Sequence, residues 1–145
     1  MKKIYSMAVL VVLLAGCTAP TSNQNAEEVT SEEKSTEGVS FGNIQNGATI
    51  TSPFALEMRA QGMQVEPKGA PRAGFGHHHL LVNDDFIPAG IVIVADETHL
   101  HYGGGQTSDS VSLDPGSYRL TLQFADGMHV SYGEKWSKTI TVTVE

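Results

Sequence analysis

Six histidines carry most of the chemistry open to this 145-residue chain. Three are consecutive, in Gly76-His77-His78-His79-Leu80-Leu81-Val82. His99 and His101 flank Leu100, and His129 follows the Asp126-Gly127 pair. Imidazole is the commonest protein metal ligand and titrates near neutral pH. Along a β-strand, residues two apart share a face. His77 and His79 therefore project together, with His78 opposite, and His99 and His101 form a second pair. Two such pairs on neighbouring strands bring three or four imidazoles around one point. Zn²⁺ accepts that set in tetrahedral geometry and Cu²⁺ in tetragonal geometry. His129 adds a ligand from a third segment. The expected metal residues are thus His77, His79, His99, His101 and His129, with copper or zinc as the metal. Asp96, Glu97 and Asp126 lie close enough in sequence to ligate or to orient imidazole N–H groups.

A second reading stands beside this one. Histidines next to apolar strands also satisfy buried polar groups, and they respond to pH. No spacing here matches a named zinc signature such as His-Glu-x-x-His. The alternative is therefore a structural or interaction domain of the cell envelope, with structural or pH-responsive histidines and no metal. Met63 and Met128 are soft donors that would suit Cu(I), whereas Met58 falls on an apolar strand face. Catalysis is not expected. Gly103-Gly104-Gly105-Gln106-Thr107 lacks the Lys-Ser/Thr ending of a phosphate loop. No serine has nucleophile-elbow context, and neither a general base nor a cleft is evident. Trp136 and Tyr102 are assigned to the core or its edge.

The elements that must position these groups are strands. Phe54, Leu56 and Met58 alternate with polar residues. So do Tyr118, Leu120, Leu122 and Phe124, and then Ile140, Val142 and Val144. Shorter candidates are 77–82, 91–94 and 110–113. Turn signals separate them, at Asn46-Gly47, 67–69, 88–90, 103–105, Asp114-Pro115-Gly116 and Asp126-Gly127. No sustained helical period occurs. Tyr118, two residues beyond Pro115-Gly116, resembles the tyrosine corner of immunoglobulin-like sandwiches. The expected fold is an all-β, immunoglobulin-like antiparallel β-sandwich spanning residues 39–145.

The start of the chain reads as a targeting segment. Lys2 and Lys3 precede an apolar run over 7–14, too short for a permanent span. It ends in Leu14-Ala15-Gly16-Cys17, which resembles a bacterial lipobox. That resemblance implies a signal peptide over 1–16 and a lipid on Cys17, the only cysteine. Residues 17–38 read as a lipidated, acidic, disordered tether. The expected location is the cell envelope, lipid-anchored and extracytoplasmic, and in an outer membrane or periplasm if the host has one. The domain carries eleven acidic residues against six lysines and arginines. That balance disfavours nucleic acid and anionic lipid as partners. The expected partners are the membrane, through the lipid, and a metal ion.

Taken in order, several motifs resemble the bacterial DUF4399 family. They are Thr51-Ser52-Pro53-Phe54, Gly62-Met63-Gln64-Val65-Glu66-Pro67, the 76–82 and 101–107 segments, Leu113-Asp114-Pro115-Gly116 and the closing 140–144 strand. The resemblance covers about 41–144 and bears on fold and boundaries, since the family name carries no activity. Family members have a more histidine-rich segment near the last hairpin, where this chain has Asp126-Gly127-Met128-His129-Val130-Ser131-Tyr132.

Overall fold

A computed structural model describes residues 37–145. The expected signal peptide, Cys17 and nearly all of the tether lie outside the described residues. Nine strands follow in order: β1 (Gly38–Phe41), β2 (Ala48–Ile50), β3 (Phe54–Gln61), β4 (Gln64–Val65), β5 (Phe75–Val82), β6 (His99–His101), β7 (Ser108–Val111), β8 (Gly116–Ala125) and β9 (Ser137–Val144). The helical content of the described residues is one 3₁₀ turn, Glu134–Trp136. Two sheets result. One has the order β1-β3-β7; the other has the order β2-β9-β8-β5-β4, with β6 also paired to β5. The domain is all-β, and this arrangement is compatible with the expected sandwich.

The alternating strands bury the residues their period selects. Phe54, Leu56 and Met58 of β3 pack in one cluster with Leu80 and Val82 of β5, Leu120, Leu122 and Phe124 of β8, and Ile140, Val142 and Val144 of β9. Each such side chain stabilises the fold by roughly 1.5–3 kcal/mol on burial. Trp136 belongs to this core and lies tilted against Phe124 at 5.8 Å between ring centroids. The tyrosine corner is present: the Tyr118 hydroxyl donates to the Asp114 carbonyl at 2.9 Å. That tie leaves Tyr118 half-buried rather than fully enclosed.

Three expectations need correction. The sheets are not wholly antiparallel, because β2 pairs with β9 and β4 with β5 in parallel. The chain reaches the β9 edge by the Asn46-Gly47 turn, where Gly47 N donates to Thr141 O and Thr141 N to Asn46 Oδ1. Residues 91–94 do not form a strand of either sheet. They make one isolated bridge, Val92 to Val130, and only Ile93 turns inward. Pro88 and a positive-φ Gly90 just before them curl the segment over the large sheet. Finally, the 110–113 strand is displaced to Ser108–Val111, and Leu113 N instead donates to Ser52 Oγ.

That curled loop gives the large sheet a second buried face. Leu81, Ile93 and Ala125, with Ile87 beside them, form a small separate core on it. Three buried polar residues fasten the loop. Gln123 Oε1 accepts Ile87 N at 3.1 Å, Thr121 Oγ1 donates to Asp84 O at 2.9 Å, and Ser131 Oγ donates to Ile87 O at 2.7 Å. The outward residues Thr121, Gln123 and Ala125 in the second half of β8 are therefore interior.

Candidate metal centre

β5 is buried along nearly its whole length, so both of its faces are interior. His77 and His79 point to the loop-covered face and are fully buried. β6 pairs with β5 in antiparallel register, setting His101 opposite His79. The turn after β8 brings in His129. Asp126 Oδ1 accepts the Met128 and Val130 N–H groups at 2.8 and 2.9 Å, and Asp126 O accepts His129 N at 3.0 Å. His129 itself takes a φ of 68°, in the left-handed region uncommon for a non-glycine residue. This tight turn directs its imidazole toward the other three.

Four histidines therefore converge. One ligating nitrogen from each of His77, His79, His101 and His129 lies within 4.8 Å of all the others. All six ring pairs have centroids between 4.5 and 5.7 Å apart. His79 Nε2 is 3.2 Å from His77 Nε2. A tetrahedral ion with bonds of about 2.0–2.1 Å to nitrogen needs ligand atoms ~3.3 Å apart. The two strand histidines already have that spacing. His101 and His129 are half-buried and sit on the solvent side.

The electrostatics favour neutral rings, which is the ligating form. Burial, then repulsion from His101 and His129, lowers the His77 pKa to about 4. Asp126 opposes that shift and Lys68 adds to it. Burial and the neighbouring histidines lower His79 further, to about 2. Burial also lowers His101, with His129 and Lys68 contributing. Nδ1 of His77, Nδ1 of His79 and Nε2 of His101 are buried with no protein hydrogen-bond partner. Each such atom costs about 1–3 kcal/mol while unsatisfied.

Two histidines stand outside the group. His99 pairs with Leu81, two residues along the ladder from His79 and His101. At about 3.3 Å per residue that step carries it some 7 Å away. There its Nε2 lies 3.2 Å from Asp84 Oδ2 and its Nδ1 3.5 Å from Asp96 Oδ2. His99 is thus held by two carboxylates, and Asp96 serves it rather than the four-histidine group. Glu97 is exposed. His78 projects into the main core, 5.0 Å from the Phe124 ring, with neither nitrogen hydrogen-bonded and its pKa lowered by burial to about 4. Among the methionines, Met58 is buried in the core, Met63 packs against it, and Met128 is 60% exposed.

Residues that support the site also went unread in the sequence. Gly76 lies so close to Ala125 O that a side chain there would strike it, which fixes the entry of β5 beside β8. Gly127 faces the Gly69 and Ala70 carbonyls in the same way. Gly127 is legible in the sequence as a turn residue, but the packing partners of the two glycines are not.

An all-β domain with four imidazoles gathered on one sheet face defines a candidate metal-binding module. Residues 56–145 match the family model DUF4399, described as a domain of unknown function, and the chain belongs to that family. No curated protein and no solved structure matches the chain.

Proposed function

We propose that this protein is a binding module that holds one divalent transition metal, copper or zinc, through His77, His79, His101 and His129. The observation that carries this reading is the convergence of four imidazoles, one ligating nitrogen of each lying within 4.8 Å of the others. An ion would give those four nitrogens a common partner. The donor set contains no thiolate, which suits an oxidising compartment. We place the module on the extracytoplasmic side of a bacterial membrane, tethered through a lipid on Cys17. No catalytic role is assigned. The alternative, histidines that serve packing or pH response, draws support from His78, which is buried without any ligating neighbour.

The test is calorimetric titration of the chain, purified without a histidine tag, with Cu²⁺ and Zn²⁺. One equivalent should bind, and ion at a hundredfold excess over Kd should stabilise the fold by about 2.7 kcal/mol. The double variant His79→Ala/His101→Ala should lose both effects. Binding unchanged in that variant would remove the assignment.

A further inference from the structure

A lysine stands at the mouth of this cation site. The segment 66–69 crosses the two loops that carry the solvent-side histidines. Lys68 N donates to Gly103 O, next to His101, and Gly69 N donates to Gly127 O, next to His129, both at 2.9 Å. Glu66 N donates to Gly76 O at 2.7 Å, beside His77. Lys68 is therefore fixed by its backbone between the three ligand-bearing segments, and its charge is felt by both His77 and His101.

Its charge is also unspent. Arg59, Arg72, Arg119 and Lys135 each pair with a carboxylate. Among the described residues, Lys68 and Lys138 have no such partner. One carboxylate, Asp126, acts on the site by its charge. Asp126 Oδ1 holds the His129 turn, and Glu66 pairs with Arg72 at 2.8 Å. A divalent ion held by four neutral imidazoles would keep a net positive charge in a partly buried place, with Asp126 offsetting part of it. Uncompensated buried charge is costly, and an adjacent ammonium makes it worse. An anion between the metal and Lys68 reverses both penalties. Five-coordinate metal accommodates it on the open side of His101 and His129.

We propose that the centre takes its metal together with a small oxygen-donor anion, a carboxylate or carbonate group, and that Lys68 pairs with that anion at the mouth of the site. The inference rests on the metal reading above. No bond is made or broken within the anion; it occupies a coordination position and accepts a charge-assisted hydrogen bond from Nζ.

The test uses the chain loaded with one equivalent of Cu²⁺ and titrated with acetate, and separately with azide as an optical reporter. The parent should bind one anion per copper. Lys68→Gln should weaken anion binding by about five- to tenfold, while copper binds as well as in the parent or more tightly. Lys68→Arg should restore anion affinity, and Lys138→Gln should leave it unchanged. Equal anion affinity in the parent and Lys68→Gln, or no anion uptake by the copper-loaded parent, would overturn this inference and leave the metal site standing. Failure to load copper or zinc at all would instead overturn the metal reading beneath it.

Discussion

Gly103 lies directly under the His101 imidazole: a Cβ at Gly103 would run into ring atoms Cε1 and Nε2 of His101. The absence of a side chain at Gly103 is thus a condition for the ring's position beside His79 and His129. Gly103→Ala should swing the ring away while leaving the β5–β6 pairing in place. We expect metal affinity to fall by about tenfold, which is about 1.4 kcal/mol, with metal-free stability nearly unchanged. Calorimetry and urea denaturation of the same variant separate the two. Unaltered affinity would mean that His101 does not ligate in its present rotamer.

Gln123 ties the covering loop to the sheet. Besides accepting Ile87 N, its Nε2 donates to Gly133 O and Trp136 O at 3.1 Å and to Phe124 O at 3.3 Å. Gln123→Leu fits the volume but strands these backbone groups, so stability should drop by about 3 kcal/mol. Amide exchange should quicken around residue 87. A loss under about 0.5 kcal/mol, the range of ordinary surface changes, would show that the loop is held by its apolar contacts alone.

Acid should destabilise the metal-free fold. Burial lowers His77 and His78 to about 4, and His79 lower still. In the unfolded chain these rings take protons near pH 6.5. Below that pH the unfolded state binds more protons than the folded one, so stability falls as pH drops. The slope is about 1.4 kcal/mol per pH unit for each such histidine. It should be flat above pH 7, steepen between 6.5 and 4, and ease below the folded values. Thermal melts across that range, in the presence of chelator, read it directly. A melting temperature that holds steady from pH 7 to 4.5 would contradict the burial argument.

Much of this was legible in the sequence because β-strands announce their faces. The alternation of Phe54, Leu56 and Met58, and of Ile140, Val142 and Val144, selects residues that are buried together. The same period put His77 and His79 on one side and His78 on the other. It could not separate His101 from His99, since both share a face and only the β5–β6 register decides which one meets His79. Nor could it show that Thr121 and Gln123, polar and alternating with leucines, are buried. Their burial depends on the loop 83–98 folding back over them, a tertiary event with no local signal. Residues 91–94 misled for the converse reason. They are β-branched and apolar, yet Ile91, Val92 and Val94 are exposed, because position in the loop overrides propensity.

The most direct test of the account is residue-resolved. Imidazole ¹⁵N resonances of the chain, recorded before and after one equivalent of Zn²⁺, report which rings bind. The account predicts large coordination shifts for one nitrogen each of His77, His79, His101 and His129, with His78 and His99 nearly unmoved. Shifts centred on His99, or shifts spread weakly over all six rings without saturation at one equivalent, would contradict a four-histidine metal centre.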